Sequence, residues 1–197
     1  SGLEENTLFV LSSDHGECNG AHRWNQKTAL YEEAVRIPLV IRPPGTGGPR
    51  GVVSDELVSN GLDLLPTFCD YAGVHSPEGL RGCSLRALAE GAEQETGRDC
   101  LVIQTLFGVS GGHGTKGRAL ITDQYKYIVY DWGLYREQLF DMANDAGETT
   151  NLAIESRYTS TLNAMRRRLK DELARTGDPF AVPHCPENGS DSRGQKS

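Results

Sequence analysis

A carboxylate and an imidazole stand side by side at Asp14 and His15, and Lys27 follows Asp14 by thirteen positions. Hard cations such as Ca²⁺ and Mg²⁺ prefer oxygen ligands, which suits Asp14, whereas the imidazole of His15 suits Mn²⁺ or Zn²⁺ better. A lysine beside such a cation can hold an anionic oxygen as a point charge. Together the three residues predict a divalent-cation site that binds an oxyanion. Taken singly, each fits a structural or surface role at least as well.

The elements around these residues indicate an α/β arrangement. The run at 7–13 is apolar on both faces, which is typical of a buried parallel strand. Ligands of open α/β sheets bind at the carboxyl ends of such strands, which is where Asp14 follows. A helix over 28–35 and a second strand over 36–41 come next, and a further helix is predicted over 63–73.

The second half of the chain has a different character. Short apolar runs separated by turn residues predict antiparallel hairpins, and apolar residues at helical spacing predict a helix over 157–175. Two domains are therefore expected, over 1–92 and 98–180, and the polar residues 183–197 predict a disordered tail. The strands of the second domain are expected at 100–105, 119–122, 125–130 and 137–141.

Composition excludes several classes of function. The chain has 197 residues and a formal net charge of −7, which argues against non-specific binding to nucleic acid. Its longest apolar runs fall far short of the roughly 20 residues that cross a bilayer. The five cysteines contain no CxxC pair, so a structural zinc site is not expected. The chain does not begin with Met, and a strand is predicted almost at once, so we expect either that an N-terminal part has been removed or that this is a piece of a longer protein.

The order of the motifs closely resembles the sulfatase family of the alkaline-phosphatase superfamily. The resemblance covers about residues 7 to 180 and continues into a C-terminal part similar to that of many bacterial-type sulfatases. The motifs that carry it are TLFVLSSDHGE at 7–17, HRWNQK at 22–27, LYEE at 30–33, RIPLVI at 36–41, DLLPT at 63–67, GCSL at 82–85, YKYI at 125–128, EQLFD at 137–141 and NLA at 151–153.

The resemblance implies both a fold and a set of site residues. The fold is the C-terminal portion of an alkaline-phosphatase-like α/β sandwich, joined to a small antiparallel α+β subdomain. Asp14 and His15 match two ligands of the family's divalent cation, commonly Ca²⁺, with Mg²⁺ or Mn²⁺ as alternatives. Lys27 matches the lysine that contacts the sulfate group and serves catalysis. His22 and His113 are weaker candidates for substrate contacts.

The family's nucleophile, a formylglycine made within a Cys/Ser-x-Pro-x-Arg motif, has no counterpart here. We therefore expect a sulfatase segment that is inactive alone, with the formylglycine in a preceding part of the protein. A phosphodiesterase or phosphonate monoester hydrolase of the same superfamily is the first alternative, and a non-catalytic protein that binds sulfated glycans is the second. The expected partner is a sulfated small molecule or glycan, and a periplasmic or secreted location is weakly favoured because many relatives are exported.

Overall fold

The computed structural model describes residues 2–45, 48–92, 96–108 and 114–184, which form two compact units. The first unit comprises Ser1–Lys27 and Glu33–Leu101, and the second comprises Thr28–Glu32 and Val102–Ser197. The tail predicted at 183–197 lies almost wholly outside the described residues. None of the described helices is long and apolar enough to cross a membrane.

The first unit is built on a two-stranded sheet. Strand β1, Phe9–Ser12, pairs with β2, Leu39–Arg42, and the two strands run antiparallel. The prediction of a buried parallel strand at this position is therefore wrong for the described chain. The strand has one partner here, and Phe9 and Leu11 on one face are 54% and 52% exposed. An apolar run does not reveal the direction of its partner, which explains the error.

Three helices complete the first unit: α1 at Glu32–Val35, α2 at Asn60–Ala72 and α3 at Arg86–Ala89. The first residue of α1, Glu32, belongs to the second unit. Helix α2 begins three residues earlier than predicted, and its N-cap residue is Ser59. The Asp63 carboxylate instead accepts the backbone N–H of Ser59 at 2.8 Å from inside the first turn.

The Asp63 side chain is completely buried and forms the polar centre of this unit. Its two carboxylate oxygens each receive one N–H of Arg98 at 2.8 Å, and one of them also accepts the N–H of Cys83 at 3.0 Å. Burial works to raise the pKa of Asp63, but the Arg98 guanidinium and the backbone amides outweigh it and hold the pKa below its ordinary value. This ion pair fixes the start of α2 against two distant chain segments.

The second unit is a four-stranded sheet in the order β3-β4-β5-β6, covered on one face by a helix. The β4–β5 and β5–β6 pairs are antiparallel, as the hairpin pattern predicts. The helix lies at Thr159–Thr176 and is named α4. The strands are β3 at Leu101–Phe107, β4 at Thr115–Ile121, β5 at Tyr125–Tyr130 and β6 at Glu137–Asp141.

Alternate residues of β5 face the two sides of this sheet. On the side of α4, the hydroxyl of Tyr127 donates to Glu137 at 2.6 Å, and Glu137 also accepts two hydrogen bonds from Arg166 of α4. This buried network attaches the helix to the sheet.

The other face of the sheet is covered by Thr28–Glu32. Lys126, which is fully buried, lies 2.9 Å from the carboxylate of Glu32 and 2.8 Å from that of Glu148. The N–H of Leu30 donates to the hydroxyl of Tyr130 at 3.2 Å. These contacts hold residues 28–31 against the sheet, so the helix predicted over 28–35 lacks its first turn and begins at Glu32.

Candidate active site

The site begins where β1 ends, in a turn held by its own backbone and by α2. The side-chain amide of Asn60, the first residue of α2, donates to the backbone carbonyl of Ser13 at 2.7 Å. The Ser13 hydroxyl donates to the carbonyl of His15 at 2.7 Å, and the N–H of His15 donates to a carboxylate oxygen of Asp14 at 3.0 Å. The turn therefore directs the Asp14 and His15 side chains to the same side.

Gly16 lets this turn approach α1 closely. Its N–H donates to the carbonyl of Ala34 at 2.8 Å. A Cβ atom at position 16 would lie only 1.9 Å from the carbonyl oxygen of Glu33, which is far inside van der Waals contact. Glycine is the residue that fits here. This constraint is not among the sequence predictions, although a glycine directly after two candidate ligands is a signal for it.

The ring of His15 is held in one tautomer by its neighbours. Nδ1 lies 2.7 Å from the carbonyl oxygen of Gly16, and because a carbonyl can only accept, we assign the proton to Nδ1. Nε2 then carries the lone pair, and the ammonium nitrogen of Lys27 lies 2.5 Å from it. In this tautomer, Nε2 of His15 accepts a hydrogen bond from the ammonium of Lys27.

Asp14 completes a row of three polar groups. One of its carboxylate oxygens lies 3.3 Å from Nε2 of His15, and the side chain is 83% exposed. The limited desolvation of this group acts to raise the pKa of Asp14, but His15, two backbone amides and the ammonium of Lys27 together lower it. At neutral pH the carboxylate is therefore ionised, and most of the side chain is exposed to a ligand.

Asp14 and His15 together meet the first requirements of a cation site. A carboxylate oxygen and an imidazole lone pair at 3.3 Å can bind the same ion, and the Nδ1–H of His15 is already oriented by a carbonyl, as in many metal sites. Ca²⁺ takes six to eight oxygen ligands, so further ligands must come from other residues. A cation also requires Lys27 to leave Nε2, since one lone pair cannot serve both.

The loop between His15 and Lys27 has a strained backbone. Asn19, His22 and Arg23 all have positive φ angles, which are uncommon for residues other than glycine. A hydrogen bond from the N–H of Gly20 to the carbonyl of Trp24, at 2.8 Å, closes the turn. Strain of this kind often accompanies a functional loop.

Of the two predicted substrate contacts, His22 lies among the described residues and His113 does not. Nε2 of His22 lies 3.4 Å from a carboxylate oxygen of Glu33, whereas Asp14, His15 and Lys27 form the contiguous set. Glu33 was not among the predicted residues. His113 lies outside the described residues. The roles assigned to all five predicted residues stay predictions.

Comparison with known proteins gives a consistent result. Residues 20–175 match the family model described as "N-sulphoglucosamine sulphohydrolase, C-terminal". The chain is 32% identical over 181 residues to the ulvan-active sulfatase of Formosa agariphila, with 91% of this chain and 35% of that protein covered. It spans about a third of the length of the curated relatives it matches.

Solved structures show the same fold. The structure of BT4656 in complex with its substrate D-glucosamine-2-N,6-O-disulfate matches with a TM-score of 0.78 and 26% identity, covering 91% of this chain and 36% of that one. The phosphonate monoester hydrolase of Agrobacterium radiobacter matches with a TM-score of 0.72 and 27% identity, covering 86% and 35%. The mixed α/β chain therefore shares the alkaline-phosphatase-like fold of its neighbours.

Proposed function

Because this chain belongs to the sulfatase family, through its C-terminal domain, we propose that the protein containing it hydrolyses sulfate esters. The chain spans about a third of its relatives, so the activity proposed is that of the whole protein. The chain alone, which has no formylglycine motif, is expected to be inactive.

The contact between Lys27 and His15, with Asp14 beside them, is the observation that carries this proposal. The ammonium nitrogen of Lys27 lies 2.5 Å from Nε2 of His15, and a carboxylate oxygen of Asp14 lies 3.3 Å from the same Nε2. Such a set suits a tetrahedral oxyanion placed between a cation and a lysine. It offers the negative sulfuryl oxygens two sources of positive charge.

Asp14, His15 and Lys27 would then have different roles in the reaction. Asp14 and His15 would bind a divalent cation, for which Ca²⁺ is the first candidate and Mg²⁺ or Mn²⁺ the alternatives. Lys27 would donate hydrogen bonds to a sulfuryl oxygen and stabilise the charge that develops there. When bound, the cation acts as a Lewis acid on the same oxygens. The formylglycine, expected in the preceding part of the protein, supplies the nucleophile.

Substrate contacts by His22 and His113, a sulfated glycan or small sulfate ester as substrate, and a periplasmic or secreted location belong to the same proposal. One relative is named as ulvan-active, and one neighbour was solved with a disulfated glucosamine as its substrate. These names support a sulfated carbohydrate over other esters. A homologue that binds sulfated glycans without turnover is the non-catalytic alternative.

The test compares esters that differ in the reacting group. The full-length protein is assayed with 4-nitrophenyl sulfate and 4-nitrophenyl phenylphosphonate, before and after removal of divalent cations by EDTA. We expect release of sulfate that EDTA abolishes and Ca²⁺ restores. A higher kcat/KM for the phosphonate would instead support the hypothesis of a phosphonate monoester hydrolase, which the similarity to the Agrobacterium enzyme favours. Absence of turnover on both esters would contradict the enzymatic proposal.

A further inference from the structure

The turn that joins β5 to β6 exposes an unusual amount of apolar surface. Trp132, Leu134 and Tyr135 are 77%, 89% and 72% exposed, in residues 131–136, which we name the hairpin tip. Hairpin turns usually carry Gly, Asn, Asp and other small polar residues. Side chains this exposed contribute little apolar burial within the described unit, so their presence indicates a contact outside that unit.

The backbone of the hairpin tip is held in place at its base. The N–H of Tyr130 donates to the carbonyl of Arg136 at 2.9 Å, and the N–H of Asp131 donates to the carbonyl of Lys116 on β4 at 2.9 Å. The carboxylate of Asp131 accepts the N–H of Lys116 at 2.8 Å in return. A tip anchored in this way presents its aromatic rings with less entropy to lose on binding.

The charges at this base favour an anionic ligand. Lys116 is exposed and Arg136 is half-buried, whereas the one carboxylate of the tip, Asp131, is engaged by a backbone amide. This local excess of positive charge contrasts with the net charge of −7 of the chain. Lysine and arginine are suited to sulfate and carboxylate groups.

We propose that the hairpin tip binds a sugar ring of an anionic glycan, with Trp132 and Tyr135 stacked on the ring and Lys116 and Arg136 facing its sulfate or carboxylate groups. The negative face of an aromatic ring attracts the partially positive C–H groups of a pyranose. The choice of a sulfated glycan rests on the proposed function.

The test measures binding separately from turnover. Calorimetric titration of the full-length protein with a heparin hexasaccharide, and with the same hexasaccharide after desulfation, is compared for wild type and the double variant Trp132→Ala/Tyr135→Ala. We expect the double variant to raise the Kd for the sulfated form about tenfold, which corresponds to about 1.4 kcal/mol. Trp132→Phe/Tyr135→Phe keeps the aromatic faces and should bind within about threefold of wild type.

A matched control removes exposed apolar surface elsewhere in the same unit. Ile154 is 75% exposed, and Ile154→Ala should leave the Kd and the unfolding temperature unchanged. An unchanged Kd in Trp132→Ala/Tyr135→Ala would overturn the proposal, and so would a loss of self-association in that variant, because the tip would then be a protein interface. Equal binding of the desulfated hexasaccharide would remove the role of Lys116 and Arg136. Failure of the wild type to release sulfate contradicts the proposed function and leaves the binding result intact.

Discussion

The ammonium nitrogen of Lys27 lies 2.5 Å from Nε2 of His15, so the lysine holds the one lone pair of the imidazole. Under the proposed function, a lysine in this place would have two tasks that exclude each other. It would satisfy the histidine when no cation is bound and would turn to the sulfuryl oxygens when one is. Cation binding and substrate binding would then be coupled through one side chain.

Replacing this lysine should separate the two tasks. In the full-length protein, Lys27→Met removes a donor to the charged oxygens, and we expect kcat/KM for 4-nitrophenyl sulfate to fall about 10²- to 10³-fold. The same change frees Nε2 of His15, so affinity for Ca²⁺ should rise. Lys170→Met, at an exposed position of α4, serves as the control. Lower Ca²⁺ affinity in Lys27→Met would contradict the competition between lysine and cation.

The predicted ligands can be tested by cation titration. We expect Asp14→Asn and His15→Ala each to weaken Ca²⁺ binding at least tenfold, since even changes to groups that only orient a ligand cost about 10- to 100-fold. Calorimetry with Ca²⁺, Mg²⁺ and Mn²⁺ would measure the affinities and rank the ions. Asp55→Asn removes an exposed carboxylate of the same unit and should change nothing. Equal affinities in all four proteins would remove Asp14 and His15 from the cation site.

The close approach at Gly16 predicts a stability effect. Gly16→Ala would place a methyl group 1.9 Å from the carbonyl oxygen of Glu33, so the turn or α1 must shift. We expect a loss of about 1–3 kcal/mol in the free energy of unfolding, measured by urea denaturation, together with reduced turnover. At Gly61 of α2, the nearest atom to a new methyl group is 3.9 Å away, and Gly61→Ala should be neutral or slightly stabilising. Equal stability of the two variants would show that the turn has room to relax.

The Asp63–Arg98 ion pair predicts how stability depends on pH. The pKa of Asp63 is lower in the folded chain than its ordinary value of 3.8, so the charged carboxylate stabilises the fold. This contribution is complete above the unfolded pKa and is lost as the pH falls through the folded pKa. Asp63→Asn leaves Arg98 without its partner, and we expect it to cost about 3–5 kcal/mol at pH 7.

Urea denaturation of wild type and Asp63→Asn at pH 7 and at pH 3 would measure this effect. The difference in unfolding free energy should shrink at the lower pH. Glu4→Gln breaks a pair with Arg42 in which both side chains are at least half exposed, and it should change stability by less than about 1 kcal/mol. A constant difference between wild type and Asp63→Asn across this range would contradict the assignment of a lowered pKa.

Elements with a strong local pattern could be predicted from the sequence. The strands at 125–130 and 137–141 were predicted with the bounds that the structure has, because turn residues delimit each run. The helix predicted over 157–175 lies at Thr159–Thr176, because apolar residues at helical spacing form its buried face. Asp14, His15 and Lys27 lie together, as their residue types and the order of the motifs predict.

The features that could not be predicted from the sequence depend on contacts that form only in the folded chain. The direction of β1 relative to its partner is set by β2, almost thirty residues later, and no periodicity within the run encodes it. Residues 28–31 have a helical composition, yet the contacts of Leu30 with Tyr130, and of Glu32 with the buried Lys126, override that preference. The tautomer of His15 depends on the carbonyl of Gly16, which becomes an acceptor only when the turn has formed.

The discontinuity of the second unit limits how this protein can be recombined with its relatives. Because Thr28–Glu32 belongs to that unit although first-unit residues flank it, a chimera with a single crossover near residue 101 would pair Glu32 from one parent with Lys126 and Glu148 from another. Any mismatch would leave the fully buried ammonium of Lys126 without its full countercharge. A chimera that exchanges the C-terminal sheet should therefore also exchange Thr28–Glu32.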